Sequence, residues 1–515
     1  MRYLLHDVFI NSVKKFPNSI AVYEEGGQSY SYSKLNSLAN RFANIISANK
    51  QDIRNQPFVG ILSSVNPKSI AAILGCLKIG CSYVPLDEYS PVDRLLHIIQ
   101  NTKLDVLIID PHWYEVHKEL FKAQEIKAVI FSDISDQQGQ KVINFSKVES
   151  ASDNEPPLLN QVSDDLAYIL HSSGSTGIPK GIMLTHRNAR TFVDWMQLEF
   201  KITQDDVIMS RAPFKFDLSV FDIFNTFNAG AKLVCFKWNI KRNGDQKHTD
   251  YVNLMKEQHV SVLYTTPSTF IVLMNRGGLK EANLPLREIM YAGEPFPTAQ
   301  LRSLKKCLPN TRVANIYGPT ETNIITYWWV DKLPDDDASI PLGYVVEDTE
   351  ILVVSEDGSR ICKTNEMGEL WCRGGTVTLG YLGMAEKSAA CLVDSPFHKY
   401  PAKFWKTGDF GYRDEQGLLH YKGRKDHMVK VKGYRIELGE IESALANYSD
   451  LDEFCIIAKP DEKYGNRLYC YYSVKPKKNI VQQDLISFLS KKIPEYMMPF
   501  GFFEKSIMPK TSSGK

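Results

Sequence analysis

Short apolar runs alternate with amphipathic stretches from the N-terminus to about residue 330. In MRYLLHDVFINSVKKF, Leu5, Phe9, Val13 and Phe16 fall at helical spacing between polar and charged residues, which predicts an amphipathic helix. PFVGILSSV (57–65) predicts a buried strand, followed by a helical pattern through Lys78 and the run CSYVPLD. LDVLIID (104–110) and KAVIFSD (127–133) read as further short buried strands, and DDLAYILHSS leads into a Ser/Gly-rich loop. Strands alternating with helices predict mainly parallel sheets covered on both faces. The segment 134–160 is rich in Asp, Asn, Gln and Ser and reads as a surface connection.

After about residue 330 the texture changes. EILVVSEDGSRIC and GELWCRGG are short runs broken by Asp-Gly or Gly-Gly turns, as in antiparallel β-structure. GLLHYKGRKDHMVKVKGYRIELGEIESAL then runs from a hairpin into a helix. The charged stretch Gly423–His427 is the expected domain boundary, dividing residues 1–425 from a small α/β domain at 426–515.

A length of 515 residues exceeds one hydrophobic core and requires at least two domains. Apolar and charged contents of 43% and 23% place the chain among ordinary globular proteins. A net charge of +1 gives no global reason to expect nucleic acid or an acidic membrane as partner. No apolar run of about 18 residues indicates a transmembrane helix. The N-terminus lacks the apolar core of a signal peptide. Nine cysteines without C-x-x-C pairs read as reduced thiols, so a cytoplasmic setting is expected.

The candidate chemistry begins in YILHSSGSTGIPKG (168–181). Ser172, Ser173, Ser175 and Thr176 offer hydroxyls, Gly174 and Gly177 let backbone N–H groups approach an anion, and Lys180 adds a positive charge. Phosphate suits that mixture, although the spacing is not that of the P-loop and a plain surface loop fits such a composition as well. In NIYGPTETNI (315–324), Tyr317 can stack on a planar base and Glu321 can bind a magnesium ion bridging phosphates. In FWKTGDF (404–410), Asp409 can accept hydrogen bonds from ribose hydroxyls. Each fragment alone fits an ordinary turn; together they describe a site for ATP.

SSGSTGIPKG, NIYGPTE, KTGD, GRKDHMVKVKGYRIELGEIE and the terminal PKTSSGK, in this order, resemble the core motifs of the adenylate-forming superfamily. Within it, the chain is similar to amino-acid adenylation domains of nonribosomal peptide synthesis, and LGCLKIGCSYVPLD and GELWCRGGTVTLGYLG also match. The resemblance covers essentially the whole chain. It implies a large N-terminal domain with a β-barrel-like subdomain and a small, mobile C-terminal domain. It also implies a two-step reaction. A carboxylate attacks the α-phosphorus of ATP, giving an acyl-adenylate and pyrophosphate; a phosphopantetheine thiol then takes the acyl group. Catalysis of this kind rests on positioning and preorganised positive charge. By resemblance, Ser172 to Gly177 and Lys180 handle the β- and γ-phosphates, with Thr176 and Lys180 closest to the chemistry. Gly293, Glu294, Asn315, Tyr317, Gly318 and Thr320 border the nucleotide, Glu321 serves Mg2+, and Asp409 and Arg424 hold the ribose. Lys515 matches the lysine bridging carboxylate and α-phosphate, and Asp426 the hinge of a domain rotation between the steps.

FKFDLSVFDIF (214–224) matches the family's pocket motif. A buried Asp217 costs several kcal/mol unless paired, and the ammonium of an amino acid is its natural partner. The alternative is a helix N-cap. By resemblance the pocket comprises Phe216, Asp217, Leu218, Phe221, Tyr264, Met290, Ala292, Ile316, Ile324, Ile325 and Lys515. No second acid or base greets a charged side chain, and the bulky wall argues against Trp or Tyr. The series looks like the pockets of stand-alone prolyl-AMP ligases, which load L-proline onto a separate carrier protein. One methylene is worth only ~1–3 kcal/mol, so the wall's physics leaves valine and alanine open. A D-alanine or small-aliphatic carrier ligase, and an acyl-CoA ligase using Lys430, Lys432 and Arg435 for the CoA nucleotide, are the enzymic alternatives. An inactive adenylate-binding module stands against the intact set of polar motif residues. No carrier-protein serine motif follows, so the acceptor is expected on a separate chain or beyond this sequence, and family members usually continue past Lys515.

Overall fold

The computed structural model describes residues 3–49, 57–104, 106–123, 126–133, 142–157, 159–174, 178–238, 245–334, 338–424, 428–461, 465–506 and 508. Six parallel strands form the middle of a nine-stranded sheet, in the order Ile20–Glu24, Lys232–Cys235, Val207–Met209, Val262–Thr265, Glu288–Tyr291 and Arg312–Tyr317. Antiparallel strands finish both ends: Gln28–Ser31 on one, Thr326–Trp329 and Tyr344–Val345 on the other. A seven-stranded sheet has six parallel strands, Val142–Ile143, Lys127–Ile130, Val106–Ile109, Phe58–Leu62, Ser82–Pro85 and Leu166–Ser172, with Lys180–Thr185 antiparallel at its edge.

Alternate residues of each strand point to opposite faces, and here both faces are apolar. Val106 and Ile108 join one core cluster while Leu107 and Ile109 join another. In the nine-stranded sheet Val262 and Tyr264 belong to that first cluster and Leu263 to a third. The shared cluster also takes in the helices Tyr32–Asn49, Pro67–Lys78 and His186–Glu199, so one helical layer lies between the two sheets. The sequence starts these helices firmly. Asn66 and Ser69 form a reciprocal capping box ahead of Pro67, and Thr185 with Asn188 does the same for His186–Glu199.

The N-terminal helix is Asp7–Lys15, with Leu5 and Phe16 flanking it rather than inside it. The segment 134–160 is less plain a connection than its composition suggests: Val142–Ile143 adds an edge strand and Phe145–Ser150 forms a helix. The antiparallel region is a five-stranded sheet of Thr349–Val354, Gly368–Gly374, Leu392–Asp394, Lys403–Arg413 and Leu419–Arg424. Isolated bridges from Leu419 to Gly343 and from Tyr381 to Ile182 fasten this region to both parallel sheets.

The last part opens with the hairpin Met428–Val431/Tyr434–Glu437, which runs into helix Leu438–Leu445. A three-stranded sheet, Leu451–Asp461, Gly465–Val474 and Gly501–Glu504, and helix Gln482–Leu489 complete it. Their buried residues, from Val431 to Phe502, make a core of their own. Leu485 is fully buried in that core. Leu485→Ala is expected to destabilise it by ~2–5 kcal/mol. Hydrogen exchange would show amides of Leu451–Asp461 losing protection while those of Val262–Thr265 keep theirs; equal loss in both would mean that the two cores open as one.

Candidate functional site

The carboxyl ends of the parallel strands in the nine-stranded sheet converge on one cleft, the usual place for ligands in open α/β sheets. A cavity of about 220 Å³ lies there, with Phe216, Asp217 and Leu218 after one strand, Ala292 and Gly293 after another, and Gly318 and Thr320 after a third. A second cavity of about 100 Å³ adjoins it, lined by Glu294, Asn315, Ile316, Tyr317 and Tyr421. Gly293, Asp409 and Lys430 border both.

Asp217 occupies the N-cap position of the short helix Leu218–Val220 but its side chain makes no capping hydrogen bond. Enclosure pushes its carboxyl above the usual range, against a hydrogen bond from Thr320 and the charge of Lys430. Of the other pocket residues expected from the sequence, Phe216, Leu218, Tyr264, Ala292 and Ile324 line the same cavity. Ile316 lines the adjoining one instead. Phe221, Met290 and Ile325 are fully buried behind the wall, where Phe221 packs edge-on against Tyr264 at 5.3 Å between ring centres. The geometry therefore separates a contacting wall from a supporting layer.

Asp409 and Arg424 face each other across paired strands, with Arg424 Nη1 donating to Asp409 Oδ1 at 3.0 Å. The Tyr317 hydroxyl donates to Asp409 Oδ2 at 2.6 Å. Gly408 has φ of +72° and a Cβ there would meet the Arg424 guanidinium at 2.4 Å, so glycine is what permits that approach. Asn315 donates its amide to the Pro341 carbonyl at 2.7 Å, which fixes its orientation beside the smaller cavity.

The phosphate-type loop is described at Ser172, Ser173, Gly174 and Lys180; Ser175, Thr176 and Gly177 lie outside the described residues, as do Asp426 and Lys515. Ser172 and Ser173 line the larger cavity. The hairpin after residue 427 docks against the loop, against Glu321 and Glu294, and against Phe216 of the pocket segment. Arg435 Nη1 donates to Glu321 at 2.8 and 3.0 Å, and the Tyr381 hydroxyl to Glu321 Oε1 at 2.8 Å. Burial works to raise the Glu321 carboxyl, but Arg435 and Tyr381 outweigh it and hold it below the usual range. The Gly433 N–H donates to Glu294. Ser173 Oγ donates to the Arg435 carbonyl at 3.0 Å and accepts from the Glu437 N–H at 3.1 Å.

The sequence placed Lys430 at a surface, and assigned His171 and Asp222 no role. Lys430 projects from the hairpin between the two cavities, and enclosure lowers its ammonium below the ordinary value against the pull of Asp409. With Arg435 it turns inward, so of the three cations read as a surface for a CoA nucleotide two line the cleft and Lys432 is exposed at its rim. His171 lines the larger cavity as a neutral imidazole, pushed down to about 3 by burial and by Arg94. Asp222, fully buried, accepts from the Arg211 N–H at 3.2 Å and so anchors the start of the segment that carries Asp217. Its signal was the second Asp of FDLSVFD, five residues after the first.

A nucleotide-type cleft at the sheet's carboxyl edge, closed by a C-terminal hairpin, is the arrangement of an AMP-binding enzyme. Residues 9–382 match that family and residues 440–515 match the AMP-binding enzyme C-terminal domain, so the chain belongs to the AMP-binding enzymes. It is 30% identical to the L-proline--[L-prolyl-carrier protein] ligase of Pseudomonas fluorescens, over 99% of this chain and 97% of that one. It is also 31% identical to bacitracin synthase 3 of Bacillus licheniformis over 99% of its own length, but spans only 8% of that synthase. The crystal structure of the Vibrio cholerae adenylation domain AlmE in complex with glycyl-adenosine-5'-phosphate has the same fold. Its TM-score is 0.86 at 20% identity, covering 100% of this chain and 96% of that one.

Burial raises the Asp222 carboxyl from its ordinary 3.8 to about 8. A carboxyl raised in the fold contributes stability at low pH that is lost as pH climbs from the unfolded value through the folded one. Asp222→Asn is therefore expected to gain on the wild type between about pH 4 and about pH 8. Urea midpoints across that range check this; a constant gap between the two proteins would rule it out.

Proposed function

We propose that this chain is a stand-alone amino-acid adenylating ligase. It joins an amino-acid carboxylate, L-proline in the reading that fits best, to the α-phosphorus of ATP. The bond from that phosphorus to the bridging oxygen breaks and pyrophosphate leaves. The thiol of a phosphopantetheine arm on a separate carrier protein then attacks the acyl carbon, and AMP departs. The observation that carries this reading is Asp217: a buried carboxylate beside the apolar side chains of Leu218, Ala292 and Ile324, at a helix start where it makes no cap. Thr320 and Lys430 favour its charged form without overcoming its enclosure, and the ammonium of an amino acid would complete the pairing. A secondary ammonium has two N–H donors, which one carboxylate accepts, and a compact ring suits the aromatic and aliphatic surround of Tyr264, Leu218 and Ile324. The relative from Pseudomonas, named for L-proline and similar over the full length, supports the same choice.

Under this reading the smaller cavity beside Asn315 and Tyr317 takes adenine, and Asp409 with Arg424 takes the ribose. Ser172 to Gly177 and Lys180 take the β- and γ-phosphates. Lys515 bridges the carboxylate and α-phosphate in the first step. Residues 426–515 move as a unit about Asp426 between the steps, removing Lys515 and bringing the hairpin in.

Among the described residues no cluster of three or more His, Cys, Asp or Glu forms a metal cage. Mg2+ does not need one, since it binds through one or two carboxylates and substrate phosphates. Glu321, a buried single carboxylate, fits that role. Bound there, the ion would neutralise charge on the phosphate oxygens; with the hairpin docked, Arg435 supplies the positive charge instead.

The reading is tested by exchange of labelled pyrophosphate into ATP with L-proline, D-proline, alanine and valine. L-proline is expected to lead valine by about tenfold or more in kcat/KM. Absence of exchange with every amino acid would end the proposal. Lys515→Ala should cut exchange by about a hundredfold or more, while thiolation from supplied adenylate persists; equal loss of both steps would remove Lys515 from its role. Because the Asp217 carboxyl is raised, KM for the amino acid should climb on acidification at a pH above the usual Asp range. A KM constant across that range would take Asp217 out of amine recognition.

A further inference from the structure

Two carboxylates of the C-terminal part sit inside the loop read above as the phosphate site. Glu437 Oε1 accepts from Lys180 Nζ at 3.0 Å. Glu440 Oε2 accepts from the Gly174 N–H at 3.1 Å, and Glu440 Oε1 pairs with Arg94 of helix Val92–Thr102. Both glutamates are buried, at 7% and 3% exposure. A buried carboxylate is costly unless charged donors surround it. Here the donors are a lysine, a guanidinium and a loop N–H, the set that phosphate oxygens also take. Gly174 presents that N–H from a backbone so close to its neighbours that a Cβ would lie 2.0 Å from the Ile178 carbonyl oxygen.

Resting on the proposed function, we infer that Glu437 and Glu440 are positioning residues that stand in for the leaving pyrophosphate. They take over its donors once it departs and thereby hold the hairpin and helix Leu438–Leu445 docked for the second step. Lys180 and the Gly174 N–H serve one anion at a time. Pyrophosphate placed beside two buried carboxylates would add like charge in the same loop, so its binding and the docked position exclude each other. Release of the first product and closure for the second step become one exchange of acceptors on a fixed set of donors. The exchange also accounts for Glu440 on the buried face of this helix, which is otherwise Leu438, Ile441 and Leu445, with Glu437 at its N-cap.

The experiment titrates the full-length protein, without amino acid, with inorganic pyrophosphate and Mg2+ by calorimetry. It compares wild type with Glu437→Gln, Glu440→Gln and the double variant. Docking that competes raises the apparent Kd by the reciprocal of the undocked fraction, so a docked population of about 90% predicts about tenfold tighter pyrophosphate binding in the double variant. In parallel, pyrophosphate should speed hydrogen exchange at Tyr434–Leu445 in the wild type, whereas in the variants exchange there is fast without ligand. Retained protection at Leu451–Asp461 certifies that the C-terminal core is folded, and the single variants serve if the double one is not. Loss of a merely structural contact would leave pyrophosphate affinity unchanged or weaker, and either result overturns the inference. So would wild-type exchange at Tyr434–Leu445 that is indifferent to pyrophosphate. Failure of the amino-acid panel with these signals intact would instead count against the amino-acid reading alone.

Discussion

The ion pair of Arg435 with Glu321 is the contact on which the observed arrangement turns. Glu321 is 1% exposed, and both its oxygens accept from the guanidinium. Breaking such a pair by removing one partner costs roughly 3–5 kcal/mol, because an unpaired charge stays behind. The hairpin cannot leave without leaving Glu321 in need of another cation. The same logic recurs at Glu294, which takes the Gly433 N–H, and at Ser173, which bonds the hairpin backbone on both sides. The contact between the two parts of the chain is thus made of groups with chemistry of their own, and docking is decided by what else those groups hold.

The remainder of the molecule gives this contact a fixed partner. Two sheets share a single helical layer and one continuous core, so the strand ends that carry Phe216, Ala292 and Thr320 cannot shift independently of one another. Close-packed interiors have low compressibility and transmit strain. Opposite them stands a two-stranded hairpin with its own small core behind it. A rigid floor and a separately supported lid are what the two distinct cores provide.

Much of this was legible in the sequence because it rests on local pattern. The buried runs at 57–65, 104–110 and 127–133 became strands Phe58–Leu62, Val106–Ile109 and Lys127–Ile130, since apolar residues on both faces admit little else. The motif segments converge from strands of three sheets: the Ser/Gly loop from the seven-stranded one, Phe216, Ala292 and Thr320 from the nine-stranded one, and Asp409 from the antiparallel one. What stayed hidden depends on contact between distant segments. Nothing local to RIELGEIE shows that Glu437 and Glu440 reach Lys180 and Gly174, more than two hundred residues away. Lys430 looked like a surface cation because hairpin residues usually are. The split of the pocket into a wall and a supporting layer also needed three dimensions: Met290 and Ala292 are two residues apart, yet Ala292 lines the cavity and Met290 lies behind it.

Between Asp217 and Gly230 the helix is not regular: Phe221–Asn225 forms a π turn between α segments. Such a turn holds one residue more than the α-helix, and each residue advances an α-helix by about 100°. The segment is therefore held to a count as much as to a composition. Exchanging side chains along the wall redraws the cavity, whereas the extra residue of the π turn offsets Asp217 from the helix behind it by about one residue's turn. The direction in which Asp217 faces is thereby set by residue count as well as by residue type.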